Sequence, residues 1–477
     1  MIKNLLTYFL IPCLASIPFE KVFAEDLIEM KSKSIKTLLS KKIINFDDIK
    51  NIISENNLEL KSLEKLVKAS SFNLSSKISK RYPSLDLNAN GLPQYLYSRN
   101  YSNSSIDTKT SQVQINPSFT IRWDLIDPLR GLEIKSAKNN YEIAKNNYEI
   151  KKNDLIQEAK SRYHNYLKSQ ENAKNAKIAV DLSLKSLKDA QNKLDIGIGT
   201  KFDVLEADAQ LSRDQQILEE KVLDKEINLI SLKEILNINF EKEILISNKK
   251  KLTGYWNHPL GKNIKNGIDK SYSLKNIRLK GLIKKNSAKR FKNANLPSIY
   301  ISNTLSSSLT KGSSLAANID PSRSSSTYSN KISLNFTWNI FNGGQNNKSS
   351  QANEAEAESE KFSFLNLQNV IKKNISESYL NHIKSKQKIF STTQEILATQ
   401  ESLRLARLRY EVGISTMKDV LIRQKELTNA RSNRINAIYN YNISLDKLER
   451  LTFLGKSEDC KKNSNSQENQ IYSICDY

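Results

Sequence analysis

Helix-breaking residues are scarce in this chain of 477 residues, which has 13 glycines and 9 prolines. That scarcity excludes an all-β sandwich with many tight turns and favours long uninterrupted helices. Histidine and cysteine number 3 each, and no spacing among them suits a metal. There is no glycine-rich phosphate loop and no nucleophile motif, so the sequence offers no cofactor site and no enzyme chemistry. His164, His258 and His382 are scattered, and packing or water-lined roles suit them better than ligation. A long apolar run is missing as well. The one apolar stretch, Leu5 to Ile17, follows Lys3 and precedes the small-residue site Val22-Phe23-Ala24. Residues 1–24 therefore read as a secretory signal peptide, and any later membrane span must be β.

The hydrophobic fraction is 38% and the mean hydropathy −0.55, which suits helices that bury one stripe. The formal net charge is +23. An anionic partner such as lipopolysaccharide would explain it, and so would lysines spread over solvated faces. A nucleic-acid partner is not expected, because no recognition motif accompanies the charge and the chain is exported. Cys13 lies in the signal segment. Cys460 and Cys475 lie in a polar tail, where an oxidising compartment permits a disulfide and two free thiols remain the alternative.

The strongest internal signal is a tandem duplication. Leu194-Asp195-Ile196-Gly197-Ile198-Gly199-Thr200 through Leu205 matches Tyr410-Glu411-Val412-Gly413-Ile414-Ser415-Thr416 through Leu421. Trp123-Asp124-Leu125-Ile126-Asp127 matches Trp338-Asn339-Ile340-Phe341-Asn342, and Tyr82-Pro83-Ser84-Leu85 matches Leu296-Pro297-Ser298-Ile299. Each half reads as helix, two strands, long helix, glycine turn, long helix. The expected organisation is a signal peptide (1–24), a first repeat (25–239), a linking segment (240–270), a second repeat (271–454) and a polar mobile tail (455–477). Lysine-rich residues from about 240 to 295 read as irregular.

Heptad seams are expected at Ala159, Tyr166, Ala173, Val180, Leu187 and Leu194, and at Ile375, His382, Ile389, Ile396, Leu403 and Tyr410. Val113, Ile115, Phe119, Ile121 and Trp123 alternate with polar residues, as do Ile332, Leu334, Phe336, Trp338 and Ile340. Period two in an exported protein suits barrel strands with lipid on one side, and Trp123 and Trp338 suit an interfacial girdle. The stretches near 99–111 and 310–330 read as polar outer loops. Four strands cannot close a barrel alone, and open edges in lipid are costly, so the strands must be shared in an oligomer.

These features together resemble the TolC-like outer membrane efflux family. Asn57-Leu58-Glu59-Leu60 followed by Tyr82-Pro83-Ser84-Leu85 looks like its opening helix and first strand. Trp338-Asn339-Ile340-Phe341-Asn342-Gly343-Gly344 looks like its exit from the last strand. Tyr410-Glu411-Val412-Gly413 with Thr416, Asp419, Val420 and Leu421 is the most specific match. The resemblance implies a mainly α chain with transmembrane β strands. It implies a homotrimer sharing a twelve-stranded barrel and a periplasmic α-barrel, placed in the outer membrane. The partners would be outer-membrane lipid, a periplasmic adaptor and an inner-membrane transporter, in efflux or type I secretion. The hairpin tips, with Gly197, Thr200, Asp203, Gly413, Thr416 and Asp419, would dock the adaptor and close the channel, Tyr410 adding a closing contact. Capping of the returning helices by Thr200 and Thr416 accounts for the same motif without any gate. Ser415 and Ile422 stand where some relatives carry a basic latch and a second acid. A periplasmic coiled-coil adaptor, with one hairpin flanked by compact β domains, is the alternative reading.

Overall fold

A computed structural model describes residues 42–101, 108–241, 244–247, 252–315 and 324–457. The signal segment, Cys460 and Cys475 lie outside the described residues.

Strands β2 (Ser84–Asn100), β3 (Thr108–Ile126), β5 (Ser298–Leu315) and β6 (Ser324–Thr337) form one antiparallel sheet in the order β2-β3-β5-β6. The register puts Leu87, Phe119 and Leu305 in one row, and Ile301 beside both Trp123 and Leu334. One face is thus apolar apart from Asn303, Ser307, Asn330 and residues near the strand tips. The other face carries Thr120, Thr304, Ser302 and Ser333, whose hydroxyls bond across strands (Thr120 to Thr304, 3.2 Å; Ser302 to Ser333, 2.9 Å). Both β2 and β6 are edges with unpaired backbone on their outer sides. The strands run farther than the polar-loop reading allowed, through residues 99–100, 108–111, 310–315 and 324–330. Serine, threonine and lysine there show no hydropathy alternation, yet the backbone ladder continues. At the near end β6 stops at Thr337, so Trp338 and Ile340 lie beyond it.

Eight helices are described: α1 (Ile49–Asn56), α2 (Leu58–Ser79), α3 (Arg130–Asp195), α4 (Lys201–Ile235), α5 (Leu260–Lys270), α6 (Tyr272–Asn293), α7 (Gln345–Glu411) and α8 (Met417–Thr452). The segment expected to be irregular therefore holds α5 and α6. Lysines spread around α6 hide its amphipathic period, while Ser271 caps it by accepting from Leu274 N at 3.3 Å. Helices α2, α3, α6 and α7 lie side by side next to the sheet, and α4, α3, α8 and α7 beyond them. Asn57 joins these tiers. It accepts from Leu60 N at 3.1 Å and donates to Ile235 O at 3.2 Å, stacking α2 on α4. Two hairpins on one sheet replace the single flanked hairpin that the adaptor alternative requires.

A core of Ile44, Ile49, Ile53, Leu60, Leu155, Leu232 and Tyr439 fills the junction of the tiers. Strands β1 (Lys42–Ile44) and β4 (Ile244–Ile246) pair parallel against it. Here His164 and Asp446 are both buried and bonded at 3.1 Å, with Lys160 and Lys456 at 3.8 and 3.4 Å from the carboxylate. Burial pushes the Asp446 carboxyl up, but the His164 hydrogen bond and the two lysines more than offset it, holding it below its ordinary value. The start of the expected mobile tail is docked: Ser457 bridges to Tyr255.

The α7 seam is nearly where it was expected: Ile375, His382, Ile389, Leu403 and Tyr410 are buried, and Ile396 is half-buried. The α3 seam changes. Ala159, Tyr166 and Ala173 are buried, but Val180, Leu187 and Leu194 are only half-buried. The buried stripe moves to Ala176, Ala179, Ser183, Ser186 and Ala190. Small side chains let α8 approach closely, and Gln424 of α8 bonds Ser183 and Ser186 at 2.9 and 3.2 Å. Ser183 also donates to buried Asp214 of α4.

Candidate functional site

The two hairpin tips are built alike. Gly197 (φ 79°) and Gly413 (φ 83°) take the left-handed conformation that ends a helix. A methyl at either position would meet nothing within 4 Å, so backbone conformation alone demands glycine there. Ile198 N donates to Lys193 O at 3.0 Å and Ile414 N to Arg409 O at 2.8 Å, the six-residue closure of a Schellman motif in both copies.

Each returning helix is then capped. Thr200 accepts from Asp203 N at 3.1 Å, and Thr416 accepts from Asp419 N at 3.4 Å. The Asp419 carboxylate also accepts from Ser415 Oγ (2.7 Å) and from Thr416 N and Oγ1 (3.4 and 3.3 Å). The Ser415 bond first, then that from the Thr416 backbone, holds the exposed Asp419 carboxyl below its usual range. Asp203 receives Thr200 Oγ1 at 2.7 Å. Both acids therefore have a capping role in the single chain, each beside a helix N-terminus.

Tyr410 sits where the tips meet, buried in a cluster with Ala190, Ala207, Met417 and Val420. Burial pushes its phenol up, and the carboxylates of Asp203 and Asp189 add to this. Sequence reasoning missed its chief partner. Lys193 of the first hairpin donates to Tyr410 O at 2.6 Å and Glu411 O at 3.2 Å, and stands 4.2 Å from the Tyr410 ring centroid. A cation at the last carbonyls of α7 suits the helix dipole. Also missed were the apolar side chains beside each glycine. Ile196, Ile198, Val412 and Ile414 are 69–70% exposed. The duplication itself carried that signal, since Ile-Gly-Ile stands opposite Val-Gly-Ile.

Trp123 and Trp338 take equivalent places. Trp123 Nε1 donates to Arg81 O at 3.0 Å, and Trp338 Nε1 to Asn295 O at 2.8 Å. Each indole ties a strand end to the helix that feeds the preceding strand, at the helix-side margin of the apolar face.

The family model of the outer membrane efflux protein matches residues 51–237 and 291–452, most of both repeats. The chain belongs to this family. Among solved structures, the chain is similar to the CmeC outer membrane channel of Campylobacter jejuni. The identity is 16%, the coverage 89% of this chain and 88% of that one, and the TM-score 0.69. It is similar to VceC of Vibrio cholerae, at 13% identity over 87% and 97% of the chains, TM-score 0.66. The MtrE outer membrane channel of Neisseria gonorrhoeae in its open state gives 14% identity over 87% and 90%, TM-score 0.66. None of the curated proteins matches the sequence. Membership places the chain in the outer membrane as an efflux channel protein, with its helices in the periplasm. No described helix is long and apolar enough to cross a membrane.

Proposed function

We propose that three copies close into one duct, which works with a periplasmic adaptor and an inner-membrane transporter as a passive exit channel. The observation that carries this is the sheet. It has one apolar face, one hydroxyl-lined face and two open edges. In lipid, each unpaired backbone group costs several kcal/mol, so β6 of one copy must pair with β2 of the next. Twelve strands then surround a polar lumen. The helices support the same closure. α2, α4 and α7 lie at the margins of the protomer and expose Phe72, Leu223, Ile227, Leu380 and Leu397, each over 55%. These are sites for a neighbouring copy.

The tips would close the duct and meet the adaptor. Ile196, Ile198, Val412 and Ile414 offer an apolar crown for docking, and Lys193 holds the second hairpin against the first. Asp203 and Asp419, repeated around the axis, would favour cations at the constriction. Each repeat would be one structural unit, with α5 and β4 as the link. No residue carries catalysis in this reading.

Native mass measurement of the detergent-solubilised chain, with planar-bilayer recording, tests the proposal. A trimer giving stepwise conductance is expected. A monomer without conductance would overturn it.

A further inference from the structure

We propose that a polar groove over the first turns of α3 binds a hydroxyl-rich small molecule bearing one carboxylate, a sugar acid being the simplest case. This rests on the duct reading above, because the groove is placed in the lumen. Its floor is one stripe of α3, Glu133, Asn140 and Asn147, spaced seven residues apart. Helix α2 forms one wall through Asn73 and Lys77, and α6 the other through Asn286 and Arg290. Between the three helices lies a cavity of about 600 Å³. From Glu133 to Asn147 the floor runs roughly 21 Å at ~1.5 Å per residue.

Two observations turn the groove toward the duct. Asp154 is the next position of the floor stripe, and Ala159 and Tyr163 lie five and nine residues past it. At ~100° per residue they stand on the opposite side of α3. There they share a core with Ile44, Ile49 and Ile244, which belong to β1, α1 and β4, and Tyr163 donates to Ser247 O. Inside a closed trimer, three copies of those segments would obstruct the passage, so they stand outside and the groove inside. The groove also continues the polar face of the sheet. Asp124 lies on that face with Arg122, 2.9 Å away, and its carboxylate acts on the Lys80 ammonium beside Glu133.

The lining sets the chemistry of the ligand. Glu133 Oε2 accepts from Lys77 at 3.3 Å and from Lys80 at 2.9 Å, and Oε1 stands 3.9 Å from Arg290. One carboxylate thus serves three cations. At 3.9 Å Arg290 makes no hydrogen bond to Glu133, and its planar fork lines the cavity with donors that suit a second carboxylate. Glu133 beside it disfavours a doubly charged phosphate more than a singly charged group. Away from the charged end the lining is Asn73, Asn140, Asn286, Ser136 and Ser287, which donate and accept as sugar hydroxyls do. Ile143 and Ala144 give the C–H face of a ring an apolar rest. The far end is closed by amides, Asn276 donating to Asn147 Oδ1 at 2.7 Å and Asn146 to Asn276 Oδ1 at 2.8 Å.

The test uses the full detergent-solubilised chain and glucuronate, with glucose, acetate and glucose 6-phosphate as comparison arms, and binding is read by calorimetry. Glucuronate is expected to bind most tightly of the four. Its preference over glucose should fall about fivefold in Lys77→Gln and in Arg290→Gln. Asn140→Ala should weaken glucuronate and glucose alike and leave acetate unchanged. In planar bilayers, glucuronate should lower the conductance of the natural chain and lower that of Arg290→Gln less. Trimer mass and conductance without sugar should stay the same in every variant, which separates failure of this site from failure of the duct reading. Equal binding of glucuronate and glucose, tighter binding of glucose 6-phosphate, or an unaltered preference in both cation variants would each overturn the proposal. If one cation variant does not assemble, the other decides it, and a retained preference there overturns it. Binding without any effect on conductance would overturn the lumenal placement.

Discussion

The two hairpins share their turns and differ in their seams. Gly197 and Gly413 have nearly the same φ, the same six-residue closure and the same threonine cap. Yet α3 buries Ala176, Ser183 and Ala190 where α7 buries Ile389, Leu403 and Tyr410. The turn is fixed by backbone geometry, which admits one solution in both copies. A seam is fixed by its neighbour. α3 packs on α8 of its own chain, whereas α7 also forms a free margin of the protomer. Duplication thus kept what chain reversal requires, and let the packing diverge where the copies meet different surfaces.

Removing the polar centre found in one copy only should have the largest effect. Asp446 corresponds by the repeat to Ile230, which is 55% exposed. Asp446→Ala removes the carboxylate that His164 and Lys456 share, while Lys160 keeps Glu449 at 2.7 Å, and should cost about 3–5 kcal/mol in denaturant unfolding of the helical tier. A loss under about 1 kcal/mol would mean that the repeats do not differ energetically here. Next comes His382, whose counterpart is Tyr166. Burial first, and then the Lys386 charge, lowers the His382 pKa to about 4 from the ordinary 6.5. Above pH 6.5 the imidazole is neutral in both states, and that contribution is fully present. Between pH 6.5 and 4 the unfolded chain takes the proton first, so stability falls by about 3 kcal/mol. Burial pushes the Tyr166 phenol up, so it stays neutral throughout this window. Thermal midpoints across the window should lose this slope in His382→Gln. Parallel curves for the two proteins would show that the imidazole is not responsible.

Much of this asymmetry could not be read from the sequence. Gly413 and Trp338 were legible because glycine at positive φ and tryptophan at a strand end are narrow solutions, and each occurs twice. The inner halves of the strands were legible through Phe119, Ile121, Ile332 and Leu334, which alternate. The outer halves were not, because Ser306, Ser308, Ser325 and Thr327 give no contrast between faces. The shift of the α3 seam was hidden because alanine and serine weigh little in a hydropathy pattern, although they set how near α8 can come. Helix α6 was hidden by its lysines. Contacts across the repeat were out of reach in principle. Lys193 meets the Tyr410 carbonyl across 217 residues, and nothing local marks it.

Lys193 also gives a smaller prediction, at the tips. Its repeat counterpart is Arg409, and among the described residues the bond across the tips runs from Lys193. A charged donor on a partly buried carbonyl contributes about 1.5–3 kcal/mol. Lys193→Met keeps the stem and removes the donor. It should raise open probability in planar bilayers by roughly tenfold, leaving trimer mass unchanged. An unaltered opening rate would mean the hairpins are held by the apolar cluster around Tyr410 alone.

The smallest effect separates the two acids. Asp419 is held by Ser415 and Thr416 and is fully exposed, whereas Asp203 is held by Thr200 alone and lies nearer the buried Tyr410 phenol. If both line the constriction, Asp419→Ala should reduce cation preference in reversal-potential measurements more than Asp203→Ala. The reason is that the exposed carboxylate has fewer protein atoms between it and a passing ion. Equal and unchanged selectivity in both variants would leave these residues as helix caps, and the resemblance of the two tips would then be wholly a matter of turning the chain.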